Sequence, residues 1–345
     1  MKIIHFLVGI GGGGAEHLVL ELANQNKNAG HTVVVVGITS INKIQNKFEN
    51  YGIEYISLKI DKVSDLYGGI KKYIEILKRY PNAVIHAHMF HAGIMSCITK
   101  IFAPSFKLVF TLHTNYVRAF YRRSLLYITR GIRDADVIFS DNSRQSYHKR
   151  DSVVIANGID NSKFQLKSAL PDTFTCLFLG RLQEPKNPLY LVDLVLKLKD
   201  QYNFKISIAG DGDLAENLKS MIKVHKLENY FNFLGFRNDI PFLLSTSHCM
   251  IMPSLWEGMP ISILEAGAAG VPIISTAVGS IPSILNTTNS FICDLKDFHE
   301  NLAKVMDNYT SAKMKASKLK EIILAKYDIT MVAQQYHDLY SRVNN

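Results

Sequence analysis

Short apolar runs alternate with longer amphipathic stretches along the whole chain. The runs are almost continuously hydrophobic, as strands of a parallel sheet covered by helices on both faces must be. In the first half they are residues 2–10, 31–38, 54–60, 83–89, 107–113, 135–141 and 152–158. In the second half they are residues 174–180, 204–210, 230–236, 249–254 and 271–277.

The amphipathic stretches between these runs predict helices, because their apolar residues recur at helical spacing. The clearest are residues 11–30, 63–80, 187–202 and 214–227. The alternation restarts after residues 161–173, a polar segment without strong periodicity. The chain is therefore predicted to be an α/β protein with two Rossmann-like, doubly wound domains.

We place the first domain at residues 1–168 and the second at 169–326, and we expect a C-terminal helix over 327–345 that crosses back to the first domain. Two such domains are expected to face each other across a cleft, because ligands of open α/β sheets bind beyond the carboxyl ends of the strands. The candidate site residues are therefore those that follow predicted strands.

The composition is that of an ordinary globular protein, with 47% hydrophobic and 20% charged residues. The four cysteines are far apart and form no CxxC pair. This argues against a disulfide framework or a zinc cluster and favours the cytoplasm. The first apolar run is too short for a membrane span, and no other run reaches about 18 apolar residues.

The net charge of +9 is concentrated in the first half of the chain. Residues 1–165 contain 21 Lys+Arg and 12 Asp+Glu, which accounts for the whole excess. This asymmetry favours an anionic partner for the first half, such as a phosphorylated substrate or an acidic membrane surface. No signature of a nucleic-acid-binding module is present, so nucleic acid is not expected.

Four consecutive glycines separate the first predicted strand from the first predicted helix. Gly9, Gly11 and Gly14 match the G-x-G-x-x-G pattern, in which N–H groups at a helix start meet a phosphate. A dinucleotide enzyme also needs an acid after the second strand, and VVVVGITS has none. The loop therefore favours an anion or a polar ligand other than nicotinamide; a turn selected only for packing is the alternative.

Histidines follow two predicted strands. His86, His88 and His91 have the spacing of a metal site, but no carboxylate or cysteine cluster completes it, so no metal is expected. His86 and His88 face the same side of their strand. His113 lies at the end of the next strand, where a ligand contact and a structural role are both open.

The densest basic region is residues 115–135, where arginines alternate with aromatic and aliphatic residues and Arg133 is the last arginine. A basic helix with aromatic residues suits an anionic lipid surface. A solvated helix face over a core stripe is the alternative. The candidate contacts to an acceptor or a membrane are His88, Arg118, Arg122 and Arg123.

Charged residues also follow the strands of the second half. Arg181 and Lys186 come after the first of these strands, where two cations can clamp a phosphate. Asp211 and Asp213 have the D-x-D spacing of a metal–diphosphate site. Asp213 opens a predicted helix, so we expect it to cap that helix instead.

The stretch EGMPISILE, residues 257–265, carries two carboxylates around a Gly-Met-Pro break. Pro260 suits the first position of a helix, so the helix is predicted to begin near Met259. Glu257 then lies in the preceding loop and Glu265 in the second helical turn. A diphosphate at this helix start would meet unpaired N–H groups and the positive end of the helix dipole.

Together these residues resemble the retaining glycosyltransferases of glycosyltransferase family four, which have the GT-B fold. The E-x7-E block with its flanks is the most specific part of the resemblance. The matching pieces occur in family order over residues 1–285: GGAE at 13–16, HAH at 86–88, TLHT at 111–114, NGID at 157–160, GRL…PKNP at 180–188, AGDGDL at 209–214, LGF at 234–236 and PSLWEGMPISILEAGAAGVPIISTAVGS at 253–280.

The resemblance implies a set of donor contacts in the second half. Glu257 would contact the hydroxyls of the donor sugar, and Glu265 would bind the ribose. Arg181 and Lys186 would neutralise the diphosphate as it leaves. The backbone that would cradle the sugar and phosphate belongs to Gly258, Met259, Pro260 and Ile261.

The family resemblance also implies contacts in the first half of the chain and around the base of the donor. Gly13 and Gly14 would lie against the donor phosphate or the acceptor, and His113 would lie near the reacting carbon. Phe236 and Arg237 would border the base. The family works without a metal, so no cofactor is expected besides the substrate, a nucleotide diphosphate sugar, with UDP favoured over GDP.

The expected activity is therefore transfer of a hexose or N-acetylhexosamine to a glycan acceptor. The basic first half favours a lipid-pyrophosphate-linked acceptor, an enzyme that is peripheral on the inner face of the cell membrane, and a role in surface polysaccharide such as capsule or O-antigen. The alternatives are a nonhydrolytic nucleotide-sugar epimerase of similar fold and a noncatalytic sugar- or lipid-binding protein.

Overall fold

The computed structural model describes residues 1–103, 105–114 and 116–344. Asn115, the first residue of the basic segment, and Asn345, the last residue of the predicted C-terminal helix, lie outside the described residues. The chain forms two compact units. One comprises Met1–Ile159 and the chain from Ile329 onward, and the other comprises Asp160–Asp328.

Thirteen strands are present in the described chain, and twelve of them correspond to the predicted apolar runs. The thirteenth, a short strand within TTNSFICDL, was not predicted because its polar neighbours hide the apolar pattern. The strands are β1 Lys2–Leu7, β2 Thr32–Gly37, β3 Glu54–Ser57, β4 Val84–His88, β5 Lys107–Thr111, β6 Ala135–Ile138, β7 Val153–Val154, β8 Phe174–Leu179, β9 Phe204–Ala209, β10 Phe231–Gly235, β11 Cys249–Met252, β12 Ile273–Thr276 and β13 Phe291–Cys293.

The helices alternate with the strands. They are α1 Gly14–Asn28, α2 Gln45–Asn50, α3 Leu66–Arg79, α4 Met89–Phe102, α5 Phe120–Thr129, α6 Tyr190–Leu198, α7 Ala215–Val224, α8 Ile240–Ser245, α9 Ile261–Ala269, α10 Phe298–Asp307, α11 Tyr309–Lys326 and α12 Ile329–Asn344.

The first unit is built on a parallel sheet with the strand order β3-β2-β1-β4-β5-β6-β7. On one face, Ile4, Phe6 and Ile85 pack against α3, α4 and α5 through residues such as Tyr73 and Leu126. The side chains between them in sequence, among them His5 and His86, belong to the opposite face because neighbouring residues of a strand alternate. Helix α1 packs on that face.

The second unit repeats the plan with a six-stranded sheet in the order β10-β9-β8-β11-β12-β13. Its strands also pair in parallel. Phe178, Ile206 and Cys249 from the sheet pack with Leu194 of α6 and Phe298 of α10. Both units therefore have the Rossmann-like, doubly wound architecture expected from the alternation of strands and helices.

The units meet in the sequence at Ile159 and Asp160, before the expected boundary at residue 168. The physical reason is local. Asn161 donates a 3.0 Å hydrogen bond to Asp328, and Phe164 is buried, so residues after Asp160 pack with the second unit. At the other end, α12 packs on α1 and contacts the sheet of the first unit, where the Tyr340 hydroxyl lies 2.7 Å from His86 Nδ1.

Candidate functional site

In the second unit, the strand order reverses between β8 and β11. At such a switch point the loops after two neighbouring strands turn to opposite faces of the sheet and leave a crevice. The loop after β8 carries Arg181 and Lys186, and the loop after β11 carries Glu257. The sequence-predicted cations and the first carboxylate of EGMPISILE therefore follow the two strands that flank the crevice.

Lys186 and Glu257 form an ion pair at this point. Lys186 Nζ lies 2.5 Å from Glu257 Oε1, and the Ser254 hydroxyl donates a 2.7 Å hydrogen bond to the same oxygen. The Lys186 side chain is 20% exposed and the Glu257 side chain 9% exposed. Charge-assisted hydrogen bonds between shielded groups are strong and directional, so the pair holds a cation and an anion in defined positions.

Two glycines allow the loops to approach so closely. A Cβ on Gly180 would lie 3.3 Å from Lys186 Cε, so the lysine stem runs along this glycine. Gly279 has a φ of +60°, and a Cβ there would lie 2.0 Å from the Glu257 carbonyl oxygen. Gly279 was not identified from the sequence as a site residue, although a glycine in the loop after a strand is a signal for positive φ.

Helix α9 begins at Ile261, with Pro260 as its N-cap residue. The sequence-based placement of Pro260 inside the helix and of the helix start near Met259 was therefore wrong. Proline has no side-chain acceptor, and no side chain caps this helix. The N–H groups of its first two residues have no intrahelical acceptor and lie directly after buried Gly258, Met259 and Pro260. This helix start can hydrogen-bond an anion.

Glu265 lies in the second turn of α9, as predicted, and is partly buried. Desolvation raises the pKa of its carboxyl to about 7. No hydrogen bond or ion pair to this carboxyl is present within the described residues. Glu265 is thus a carboxyl group that can donate or accept a hydrogen bond near neutral pH, which suits a ligand hydroxyl.

The other predicted donor contacts are more exposed. Arg181 and Phe236 are exposed, the latter by 52%. Arg237 makes a bidentate contact with Asp239, in which Nε donates a 2.7 Å hydrogen bond to Oδ1 and a terminal guanidinium nitrogen contacts Oδ2. Arg237 would therefore border a base as a member of this pair.

Asp211 and Asp213 stabilise loops. Asp211 accepts a 2.8 Å hydrogen bond from the Gly212 N–H, and its carbonyl accepts one of 2.9 Å from the Leu182 N–H. Asp213 does not cap α7, which begins at Ala215 with Leu214 in the N-cap position. The predicted cap was therefore wrong; Asp213 instead lies 3.4 Å from the Gln183 amide.

In the first unit, the strand order reverses between β1 and β4. The glycine loop follows β1. Gly13 is the N-cap residue of α1, Gly14 is its first residue, and no side chain caps the helix. Gly9 also has a packing role, because a Cβ there would lie 2.8 Å from Thr39 Oγ1. The loop therefore packs tightly, as a turn selected only for packing would, and it also leaves the start of α1 without a side-chain cap.

Four histidine side chains form a connected cluster at the same switch point. His5 Nδ1 lies 3.1 Å from His88 Nε2, and His88 Nδ1 lies 2.9 Å from His113 Nε2. The His86 ring contacts the His88 ring at a tilt of 38°, with ring centroids 3.9 Å apart. His5 was not singled out from the sequence. Its only sequence signal is its position on β1, where it pairs in register with His86 of β4.

Within the described chain, His5, His86 and His88 are the group whose ligand atoms come close enough for a metal ion, within 4.8 Å of one another. All six ring nitrogens are hydrogen-bonded. Asn26 contacts His5, and Thr111 and Tyr340 contact His86, while the remaining nitrogens join the histidines. A metal would have to displace these bonds. His91 is exposed on α4 and lies outside the cluster.

His113 occupies a strained position. Its φ is +62°, a left-handed conformation that is uncommon for residues other than glycine and is found preferentially at functional sites. Burial lowers the pKa of His113 to about 4 and that of His5 to about 3, and it lowers the pKa values of His86 and His88 well below 6.5. The cluster is therefore neutral at physiological pH.

Helix α5 carries most of the basic aromatic segment on the surface. Of its residues only Leu126 is buried. The Arg122 guanidinium lies 5.2 Å from the centroid of the Phe90 ring, and the Arg123 guanidinium lies 5.9 Å from that of Phe120. Arg118 is exposed. No helix within the described ranges combines the length and hydropathy that a membrane span requires.

Two residues that the sequence analysis assigned to the membrane contacts or to the basic segment, His88 and Arg133, have other roles. His88 is 1% exposed and both its ring nitrogens are engaged, so the expected direct contact with a membrane or acceptor is not met. Arg133 is buried; it lies 3.2 Å from Asp136 and donates hydrogen bonds to the carbonyl oxygens of Leu126 and Tyr147. Its grouping with the surface arginines was wrong, because sequence spacing does not reveal burial.

Known families match both units. The family described as Glycosyl transferases group 1 matches residues 160–322, and the family described as Glycosyltransferase Family 4 matches residues 12–163. The chain is a family-four-like glycosyltransferase. The two matches nearly coincide with the two units, so each unit corresponds to one recognised glycosyltransferase domain.

Relatives of this glycosyltransferase include enzymes named for nucleotide-sugar and lipid substrates. It is 28% identical over 317 residues to the Escherichia coli UDP-Gal:alpha-D-GlcNAc-diphosphoundecaprenol alpha-1,3-galactosyltransferase, covering 81% of this chain and 80% of that one. It is 22% identical to the gpi3 component of phosphatidylinositol N-acetylglucosaminyltransferase from Schizosaccharomyces pombe, covering 96% of this chain and 78% of that one.

Solved structures share the fold. The Anabaena protein HepE in complex with UDP-glucose has a TM-score of 0.88 at 20% identity, covering 99% of this chain and 100% of that one. Sucrose-phosphate synthase from Thermosynechococcus elongatus has a TM-score of 0.83 at 17% identity, covering 99% of both chains. The glycosyltransferase therefore has the GT-B fold.

Proposed function

We propose that this glycosyltransferase is a metal-independent, retaining enzyme that transfers a hexose or N-acetylhexosamine from a nucleotide diphosphate sugar to a lipid-pyrophosphate-linked glycan in surface polysaccharide synthesis. The observation that carries the proposal is the Lys186–Glu257 pair beside the uncapped start of α9. It combines one cation, one carboxylate and the N–H groups of a helix start, the three recognition elements that a sugar diphosphate needs.

Lys186, Arg181 and the α9 start would stabilise the leaving group. Glycosyl transfer leaves negative charge on the departing diphosphate, and preorganised cations and N–H groups lower the free energy of that state. Lys186 is held in place by Glu257 before any ligand binds, so little reorganisation would accompany the reaction. Such a site supplies the charge compensation that other transferases obtain from a divalent cation.

The two carboxyl groups would have separate tasks. Glu257 precedes the helix and would accept hydrogen bonds from sugar hydroxyls while it holds Lys186. Glu265 lies in the second turn of α9 and would bind the ribose. Its partly protonated state near neutral pH suits a ribose hydroxyl pair, which can both donate and accept. Phe236 and the Arg237–Asp239 pair would border the base. The UDP donors named for HepE and for the E. coli relative support UDP over GDP.

An anionic lipid-linked acceptor agrees with the charge distribution and with the diphosphoundecaprenol substrate named for the E. coli relative. The basic excess lies in the first half, and the outer surface of α4 and α5 is strongly apolar. Phe102 is 83% exposed and Phe120 is 74% exposed. The other large apolar residues exposed on the two helices are Met89, Ile98, Ile101, Tyr121, Leu125, Tyr127 and Ile128.

These two helices form one surface, because the Cys97 thiol on α4 lies 3.9 Å from the Thr129 carbonyl oxygen on α5 and Arg122 covers Phe90. Apolar side chains interspersed with arginine fit the boundary between headgroups and acyl chains of an anionic membrane. We propose that this α4–α5 surface holds the enzyme at the inner face of the cell membrane, next to its lipid-linked acceptor.

A panel of nucleotide sugars tests the function. UDP-sugars should raise the midpoint of thermal unfolding more than GDP-sugars, because a ligand of the folded state stabilises it by mass action. With the preferred donor and a lipid-linked glycan, product should form in the presence of a chelator with retained anomeric configuration. Glu265→Ala and Arg181→Ala should abolish transfer, whereas Lys219→Ala, a surface control in the same unit, should not. Donor conversion without acceptor would indicate an epimerase instead.

A further inference from the structure

A chain of hydrogen bonds links helix α1 to His113 across three strands. Asn26 Nδ2 lies 3.3 Å from His5 Nε2, His5 Nδ1 lies 3.1 Å from His88 Nε2, and His88 Nδ1 lies 2.9 Å from His113 Nε2. Asn26, His5 and His88 are at most 2% exposed. The last two contacts each join a nitrogen of one imidazole ring to a nitrogen of the next, so the protonation of one ring determines that of its neighbour.

The contacts Asn26–His5–His88–His113 form a hydrogen-bond relay, and the direction in which its hydrogen bonds are donated is set at Asn26. An amide nitrogen donates and does not accept, so His5 Nε2 must be the unprotonated nitrogen of its ring. His5 then carries its proton on Nδ1 and donates to His88 Nε2. His88 in turn carries its proton on Nδ1 and donates to His113 Nε2. His113 is left with its proton on Nδ1.

The other histidine of the cluster does not disturb this direction. His86 contacts the hydroxyls of Thr111 and Tyr340, and a hydroxyl can either donate or accept. Within the described residues, Nδ1 of His113 has no protein partner, and its side chain is partly exposed. His113, the last residue of the relay, therefore presents one N–H group beyond the carboxyl end of β5.

We propose that Asn26, His5 and His88 are positioning residues that lock neutral His113 in the tautomer with its proton on Nδ1, so that His113 meets the substrate as a hydrogen-bond donor. The donor character of His113 follows from the structure, whereas its contact with the transferred sugar rests on the proposed function. The φ of +62° at His113 is a strained conformation of the kind found at functional sites, and the hydrogen bond from His88 fixes the position of the ring proton.

Nuclear magnetic resonance of ¹⁵N-labelled histidine rings tests the relay without any sugar. At neutral pH, the spectrum should show an unprotonated Nε2 and a protonated Nδ1 for His5, His88 and His113, with exposed His225 as the internal reference. A protonated Nε2 on His113 in the wild-type protein overturns the proposal, whatever the enzymatic activity is.

Asn26→Leu removes the amide that sets the direction, and Asn24→Leu is its matched control on the same helix. In Asn26→Leu the His113 signals should move to a mixture of tautomers, while Asn24→Leu should keep the wild-type spectrum. An unchanged His113 spectrum in folded Asn26→Leu overturns the role of Asn26. If that variant does not fold, the wild-type spectrum alone decides.

Measurements of kcat and KM distinguish a failure of the relay from a failure of the proposed function. With an active donor–acceptor pair, Asn26→Leu should lower kcat by about 10-fold, as the loss of one hydrogen bond in the transition state predicts, with KM for the donor nearly unchanged. An unaltered kcat together with a lost tautomer overturns the positioning role. If no nucleotide sugar is a substrate although the spectra are as expected, the proposed function fails and the relay stands.

Discussion

The ammonium group of Lys186 lies 2.5 Å from the Glu257 carboxylate, although 71 residues separate the two in the chain. The two follow strands β8 and β11, which are neighbours in the sheet because the strand order reverses there. The pair therefore exists only through the topology of the second unit. Its short, shielded contact makes it the most direct target for testing the proposed leaving-group site.

Lys186→Met should lower kcat by roughly 10²–10³-fold, because a preorganised cation at the developing charge is lost. Initial rates at varied donor concentration measure this. Lys219→Met is a suitable control, since Lys219 pairs with Glu216 on the surface of the same unit. A variant with wild-type kcat would show that Lys186 does not face the leaving diphosphate.

Gly279→Ala should disrupt the loop that carries Glu257. The variant combines a positive φ with a contact of 2.0 Å to the Glu257 carbonyl oxygen, so both backbone strain and a clash arise. We expect a destabilisation of about 2 kcal/mol or more and a loss of donor binding. Calorimetry and donor titration measure the two effects.

Gly30→Ala separates these two causes. Gly30 has a φ of +82°, but no heavy atom outside its chain neighbours lies within 4 Å of the position that a Cβ would take, so only the backbone strain remains. It should cost about 1 kcal/mol and leave donor binding intact. Equal behaviour of the two variants would contradict a specific role of Gly279.

Glu265 should make the second unit less stable as pH rises. Its folded pKa of about 7 lies above the ordinary value of 4.5, so the folded state binds more protons between these values. Stability is then highest below about pH 4.5 and falls until about pH 7. Glu265→Gln should remove this loss and raise stability at about pH 8 by on the order of 2 kcal/mol.

Fluorescence of Trp256, the only tryptophan in the chain, reports unfolding of the second unit and measures this difference. Glu228→Gln at an exposed position controls for the lost charge. The interpretation of Glu265 is wrong if Glu265→Gln and the wild type show the same pH dependence between about pH 5 and 8.

The histidine cluster should make the first unit sensitive to acid. Burial lowers the pKa values of His5, His86, His88 and His113, so the unfolded state binds their protons first as pH falls below about 6.5. Stability is fully present above that pH and decreases by about 1.4 kcal/mol per pH unit for each histidine near pH 5.

His86→Gln should reduce this slope by about one proton, since glutamine can still contact Thr111 and Tyr340. Amide hydrogen exchange of β1 and β4 measures opening of the first unit. His225→Gln at an exposed position is the control. A slope that is the same in His86→Gln and the wild type would contradict a neutral, buried His86.

The α4–α5 surface should bind anionic vesicles. Wild-type protein is expected to float with phosphatidylglycerol vesicles and much less with phosphatidylcholine vesicles. Phe120→Ser combined with Ile128→Ser should reduce flotation strongly, because about 1.5–3 kcal/mol of transfer free energy is lost for each large apolar side chain that is buried. Val224→Ser, an equally exposed apolar residue of the second unit, is the control.

Equal flotation with both lipids, or an unchanged value in the double variant, would exclude this surface as the membrane contact. Added salt separates the contributions of charge and apolar burial, since salt screens the arginines but not the buried area.

The sequence alone was sufficient to predict most of the strands and the local positions of Glu257 and Glu265. The apolar runs indicated twelve of the thirteen strands, because strands buried on both faces must be hydrophobic throughout. The position of Glu265 in the second turn of its helix and of Glu257 in the preceding loop followed from Pro260 and the apolar spacing alone. Errors of one or two residues, such as the start of α9 at Ile261, arose because the fixed φ of proline is also compatible with the extended N-cap backbone that Pro260 adopts.

The sequence by itself determined the alternation of strands and helices, the glycine-rich start of α1 and the residues that follow the strands, since these depend on neighbours along the chain. Only the tertiary structure decided which of them meet. The Lys186–Glu257 pair, the contact of Gly279 with Glu257 and the link from Asn26 to His113 join residues far apart in sequence. Their contacts depend on strand order and burial, which no local spacing contains, and burial also sets the pKa values of Glu265 and the histidines.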